Sequence, residues 1–459
     1  MIRSHPARSR TSRAALLVLA LTLVAASCGN RSDDAGKKTS GNTSDGSTDS
    51  GTTGIDTSNC PDNATAGISG DTITLASSFP QSGLTAAFAQ ISKGYKAYFD
   101  ASNDKGGIEI AGKKYKIKIV DKDDEYTASE TATNISSLVG DDGSKAFAVF
   151  NVVGTANNIA IRDDLGTNCV PNIFAASGSP AMGDPDHPWT IGSTLSPYTV
   201  EIKSYVDYLK KEKPNAKVAM LLQDDDFGQA YKEGFNLAIK GSKITLAQSK
   251  TYQAGTDDVT SQVTSLAASG ADVFIDGATL LACPNALKAA KTQGWDAITF
   301  VSGTCISKTL MGIAGKDGDK ALSATNIKDP QNPAYADDPA MKDYRTLLAK
   351  YGAKDVDPDN GIVAYGYTQA AILEVVLKGL KKLDRPSLMD AMHNIDGIKD
   401  VGLLIPGVEV KTGPDDPYLA ENLQIVQYDA AGSHFVNVGD VIDYEGKTSE
   451  DTPKDLISG

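Results

Sequence analysis

Four histidines, five cysteines and scattered serines are the residues of this 459-residue chain that could make or break bonds, and their spacing argues against it. His5, His187, His393 and His434 are unclustered, and neither a His-Glu-x-x-His pair nor a Gly-x-Ser-x-Gly elbow occurs. Zinc ligation and activated-serine chemistry therefore have no local signature. Gly107-Ile108-Glu109-Ile110-Ala111-Gly112-Lys113-Lys114 approaches a phosphate-binding loop, but Lys114 stands where a hydroxyl must hold magnesium. It reads as a turn between short strands. Ser177 has no histidine expected beside it, so the chain is read as a non-enzyme with no cofactor and no metal. What remains are small clusters of hydroxyl and glycine residues, which bring backbone amides close to a guest without reacting with it.

The cysteines divide into one and four. Cys28 follows a basic stretch, residues 3–13, and an apolar run, residues 14–26, shorter than the ~20 residues that span a bilayer. Ala25-Ala26-Ser27-Cys28 resembles a bacterial lipobox, with Ala25 where leucine is usual. Lipidation of Cys28 is the expectation. Residues 29–57 are almost entirely Asn, Ser, Asp, Gly, Lys and Thr, a composition that buries no core and serves as a flexible tether. Residues 1–27 are thus expected to be a lipoprotein signal peptide and 28–70 a linker, with the protein exported and held by lipid at the outer face of the cytoplasmic membrane. In that oxidising compartment Cys60, Cys169, Cys283 and Cys305 should form two bridges. Three pairings are possible. Cys283 and Cys305 each follow an apolar strand-like run, residues 273–275 and 298–301, of one β-α-β unit. That favours Cys283 with Cys305 and leaves Cys60 to Cys169.

These residues must be positioned by a sizeable scaffold. The chain is 41% hydrophobic and 22% charged, enough for two cores, and its net charge of −14 becomes more negative once the leader's arginines are lost. Such a surface repels nucleic acid and anionic lipid head groups. From Asp71 onward, short β-branched runs alternate with amphipathic stretches, the rhythm of parallel sheets wrapped by helices. Strands are expected at residues 73–76, 116–120, 146–150 and 171–175, with helices at 86–103, 128–139 and 157–165. A second series has helices at 199–211, 229–239, 258–268 and 284–293 and strands at 217–222, 244–248, 272–276 and 298–301. Helices around 341–351 and 364–383 and a hairpin at 423–428 with 435–438 follow.

The motifs in this frame stand in a recognisable order. Pro80-Gln81-Ser82-Gly83 resembles a Pro-x-Ser/Thr-Gly loop, and Asn103-Asp104-Lys105-Gly106-Gly107-Ile108 an Asn-x-x-Gly-Gly-Ile turn. The acidic stretch at residues 121–126, Asp226-Phe227-Gly228-Gln229, and Tyr252 with Gly255-Thr256-Asp257-Asp258 complete the set. Together they resemble the type I periplasmic binding proteins that include the leucine/isoleucine/valine receptors of ABC importers. The resemblance covers residues 71–441. It implies two doubly wound α/β lobes with mainly parallel sheets joined by a three-segment hinge: residues 71–197 plus 326–415 in lobe 1, 198–325 plus 416–445 in lobe 2, and a C-terminal tail at 446–459. It also implies a small-molecule ligand in the cleft between them, and an ABC permease with its ATPase as partner.

Carried over position by position, the resemblance implies a ligand carboxylate held by Val153, Gly154 and Thr155 and by Ala176, Ser177 and Gly178. Ser77 and Ser78 end the first strand, Phe88 stands near an aromatic platform, and Phe227 replaces the tyrosine of the Asp-x-Tyr-Gly turn. One departure bears on the ligand. Relatives usually place a carboxylate near Thr304 to meet the ligand ammonium, and Ser302-Gly303-Thr304-Cys305 offers none. Asp276, Thr279 and the cluster at residues 224–226 are the nearest substitutes. A buried ammonium without a counter-charge costs on the order of several kcal/mol. That departure points away from an α-amino acid, so the expected ligand is widened from a branched-chain amino acid to a related small carboxylate or amide. A ligand-sensing module signalling through a membrane partner is the alternative function.

Overall fold

The computed structural model describes residues 55–458. The expected leader, Cys28 and the tether to residue 54 lie outside the described residues. The linker expected through residue 70 ends sooner, because Ile55 is buried, Cys60 is bonded to Cys169, and β1 (Ile68–Ser69) pairs antiparallel with β2 (Thr72–Phe79).

The first lobe continues through α1 (Gln90–Asp104), β3 (Ile108–Ile110), β4 (Lys113–Asp123), α2 (Ala128–Val139), β5 (Ala148–Phe150), α3 (Thr155–Thr167), β6 (Asn172–Ala175) and β7 (Thr190–Gly192). Its sheet runs β3-β4-β2-β5-β6-β7 with β1 beside β2, and only the β1 and β3 pairings are antiparallel. The 107–114 segment is the antiparallel turn from β3 into β4.

The second lobe is built from α4 (Tyr198–Glu212), β8 (Lys217–Gln223), α5 (Asp226–Ala238), β9 (Thr245–Tyr252), α6 (Thr260–Ala267), β10 (Val273–Gly277), α7 (Ala282–Thr292), β11 (Ile298–Val301), α8 (Lys308–Ala314) and β12 (Leu322–Thr325). The chain then supplies α9 (Pro339–Tyr351) and α10 (Gly361–Gly379), which pack on α1 of the first lobe, and α11 (Arg385–Met392) beside α10. It returns as the hairpin β13 (Leu423–Asp429) and β14 (His434–Ile442), so the second sheet runs β14-β13-β12-β11-β10-β8-β9, parallel from β12 to β9.

Three crossings join the sheets, after β7, after β12 and before β13. Two of them are tied directly, since Asn326 Nδ2 donates to the Thr194 carbonyl and Gln369 of α10 bonds Thr194 through both backbone and side chain. The α1–α10 contact depends on two glycines. A Cβ on Gly94 would lie 2.1 Å from the Val363 carbonyl oxygen, and one on Gly366 would lie 2.0 Å from that of Ile91. At such separations backbone meets backbone, and no side chain fits.

Both expected disulfides are present, Cys60–Cys169 and Cys283–Cys305. The expected tail is partly ordered, with short helical turns at Lys447–Asp451 and Lys454–Ile457 and Arg162 donating to the Ser458 carbonyl.

Candidate functional site

A parallel β-α repeat delivers the carboxyl ends of all its strands to one edge, and a guest binds there. In this chain both sheets turn that edge to a shared cavity. The first lobe contributes Phe88, Ile91, Tyr126, Val153, Gly154 and Ala176, and the second Tyr198, Glu201, Phe227, Thr279, Gly303 and Thr304. The crossings add Leu195, Ser196 and residues 324–329, and the start of α10 adds Gly361, Ile362 and Tyr365. The empty space is about 1000 Å³, part of it open to solvent, which suits a small-molecule guest.

Local structure explains each wall residue. Phe88 lies in a 3₁₀ turn, Gly83–Ala89, that precedes α1, and its ring meets Tyr126 at 5.7 Å. Gly154 has φ 110°, and a Cβ there would come 2.6 Å from Asn157 Oδ1. Only glycine can turn β5 so abruptly into α3. Asp225 caps α5 by accepting from the Phe227 and Gly228 amides, which sets Phe227 edge-on to Tyr198 at 4.9 Å. Thr279 is held by Gln223 Oε1, which accepts from its hydroxyl at 2.8 Å, and by the Tyr252 hydroxyl, which accepts from its amide at 2.9 Å.

Of the thirteen residues expected to touch ligand, seven line this cavity: Phe88, Val153, Gly154, Ala176, Phe227, Thr279 and Thr304. The other six turn elsewhere. Ser78 donates to Asp124 Oδ2 at 2.8 Å and accepts from Asn134, while Ser77, one residue earlier on the pleat, is buried on the opposite face of β2. Thr155 and Ser177 bond each other at 2.8 Å. Ser177 and Gly178 line a separate small pocket with Pro197 and Tyr418, and Gly178 accepts from the Tyr198 amide at 2.7 Å.

Asp276, expected at the ligand, lies in the core instead. It shares the face of Phe274, whose cluster includes residues of α6 and α7, because side chains two apart on a strand point the same way. It is fully buried, and neither carboxyl oxygen has a hydrogen-bond partner among the described residues. Burial pushes its carboxyl well above the usual range, with the Ala278 amide opposing. The native form thus keeps its proton at pH values where the unfolded chain has lost it, so stability falls as pH rises above the ordinary aspartate value. Asp276→Asn is expected to unfold at a higher temperature than the parent at pH 8, with the advantage shrinking towards pH 4. The difference grows by up to about 1.4 kcal/mol per pH unit within the window. Thermal unfolding at several pH values checks this, and a pH-independent difference would refute it.

Tyr126, which closes the acidic stretch at 121–126, is a wall residue, and Glu201, Tyr198, Lys328 and Tyr365 are wall residues outside the sequence motifs. Lys328 is buried and bonds Asp338 at 2.7 Å. Glu201, in the first turn of α4, accepts at Oε1 from the Tyr205 hydroxyl at 2.7 Å, the Tyr231 hydroxyl at 2.7 Å and the Gly303 amide at 2.9 Å. Burial raises its carboxyl, and those three donors oppose the rise. Tyr231 continues through Ser302 to the Thr304 hydroxyl at 2.8 and 2.9 Å.

Known proteins share this arrangement. The chain is 26% identical over 330 residues, 70% of its length and 83% of the relative's, to Leu/Ile/Val-binding protein homolog 3 of Brucella melitensis. The solved structure of a branched chain amino acid ABC transporter protein from Thermus thermophilus with bound valine superposes with a TM-score of 0.72 at 20% identity, covering 82% of this chain and 98% of that one. A fatty acid ABC transporter substrate-binding protein from Thermomonospora curvata gives 0.69 at 20% identity, covering 84% and 96%. The family model described as periplasmic binding protein matches residues 72–433. With two α/β lobes, three crossings and a shared cavity at the strand ends, this chain belongs to the periplasmic binding protein family, in its type I build.

Proposed function

We propose that the chain is the extracytoplasmic solute-binding protein of an ABC importer, capturing a branched-chain amino acid or a related small carboxylate or amide and delivering it to the permease. The observation that carries this is the cavity wall drawn from both lobes and from their crossings. Contacts shared by two walls exist only when the walls meet, so a ligand that makes them shifts the hinge towards closure, and the closed form is what a permease can distinguish. The N-termini of α3 and α10 open on the cavity through Gly154 and Gly361, and their partial positive charge favours a ligand carboxylate. The aromatic and aliphatic wall suits an apolar body. Cys28 is proposed as the lipid anchor and the segment after it as the tether, and Cys28→Ala should move the protein from the membrane to the soluble fraction.

Calorimetry of the chain from residue 29 onward against leucine, isoleucine, valine, their amides and straight-chain fatty acids, with small-angle scattering on each complex, tests the reading. Saturable binding with a smaller radius of gyration is expected. Binding without compaction, or no binding across the panel, would overturn it.

A further inference from the structure

We propose that Glu201 selects the ligand, pairing through Oε2 with a nitrogen-bearing head group, so that the cleft takes amino-bearing ligands in preference to plain carboxylic acids. This rests on the proposed capture of a small solute in the cleft. The loop after β11 holds Ser302, Gly303 and Thr304 and carries no carboxylate. Glu201 brings one to the same place from α4. It stands three residues after Tyr198 and four before Tyr205, on the buried face of that helix, and it is 2% exposed.

Its two oxygens are used differently. Oε1 takes all three donors, from Tyr205, Tyr231 and Gly303, which fixes the carboxyl plane, and Oε2 has no hydrogen-bond partner among the described residues. A Cβ on Gly303 would stand 3.2 Å from Oε2 and 3.1 Å from the Ala324 carbonyl oxygen. Glycine at 303 thus leaves that oxygen uncovered on the cavity side.

The other charged wall residues are already satisfied. Lys328 bonds Asp338, and Asp329 accepts from the Gln331 and Phe435 amides through its two oxygens. Among the described wall residues, Glu201 is left as the carboxyl with an unused acceptor oxygen. A desolvated carboxyl in that state is costly unless a donor meets it, and an ammonium or amide N–H of the ligand is such a donor. A fatty acid offers none at that end.

The test compares leucine with 4-methylpentanoate, the same carbon skeleton without the amino group, on the chain from residue 29 and on its Glu201→Gln variant. The parent is expected to bind leucine about 10- to 100-fold more tightly than 4-methylpentanoate, as one charge-assisted hydrogen bond implies. Glu201→Gln should lose most of that preference while keeping its affinity for 4-methylpentanoate, which also reports that the variant is folded. N-acetyl-leucine separates the two sources of the N–H donor: a deficit in the variant for leucine but not for N-acetyl-leucine assigns the ammonium, and a deficit for both assigns neutral N–H as well. Equal affinity of the parent for leucine and 4-methylpentanoate would overturn the assignment even if the variant failed to fold, and would leave solute capture standing. Absence of binding to anything would instead overturn the proposed function.

Discussion

Arg385→Met is expected to lower the free energy of unfolding by about 3–5 kcal/mol, the cost of removing one side of a buried charged network. The guanidinium is fully buried, and Nε donates to the Phe147 carbonyl at 2.9 Å while Nη2 donates to those of Ala146 and Gly143 at 2.6 and 2.5 Å. Burial pulls its pKa down to about 10, so it remains charged at neutral pH, its charge met by carbonyl dipoles. Those carbonyls belong to the segment that enters β5, and the Arg385 amide also donates to Ala64 at 2.9 Å. Methionine fills much of the volume and supplies no donor, which leaves three acceptors buried without partners. Urea unfolding at neutral pH measures the loss. A change below about 1 kcal/mol would mean that water or a backbone shift satisfies the carbonyls in its place.

β5 leads into Val153 and Gly154 on the cavity wall, so Arg385 links a packing feature to the site. Such links were partly legible in the sequence. The helix expected at 128–139 and the strand expected at 298–301 match α2 and β11 to the residue, because strong apolar periodicity ends there at clear boundaries. Thr190–Gly192 and Leu322–Thr325 are strands that the local sequence pattern does not reveal. Each is three or four residues long and mixes small or polar side chains with single apolar ones, so tertiary pairing, not local pattern, makes them strands. Strand-end loops were readable for the site since the β-α rhythm sends them all to one edge. Which residues lie beyond the strand ends was not, and Ser77, Ser78 and Asp276 show why: they are still inside β2 and β10, and a residue within a parallel sheet covered on both faces is buried whichever way it points. Glu201 did carry a signal. A carboxylate on the Tyr198, Ile202, Tyr205, Leu209 stripe of an expected helix is a charge on its apolar face, and such a charge calls for a partner or a function.

Replacing Cys60 and Cys169 together by serine is expected to cost about 4.8 kcal/mol, against about 3.4 kcal/mol for the same change at Cys283 and Cys305, if loop closure in the unfolded chain is the main effect. The first pair is 109 residues apart and the second 22. The contrast is useful because the first bridge is accompanied by native contacts that do not use its sulfurs. Asn63 Nδ2 donates to the Asp142 and Asn168 carbonyls, and β1 pairs with β2. Both double variants are expected to keep their fold at room temperature, so that the difference between them reports chain entropy. Urea unfolding of the two variants and the parent, without reductant, gives the comparison. If the short-loop variant lost as much stability as the long-loop one, closure entropy would be excluded as the source, and the Cys283–Cys305 bridge would have to act through α7 and the β11 turn that places Thr304 on the cavity wall.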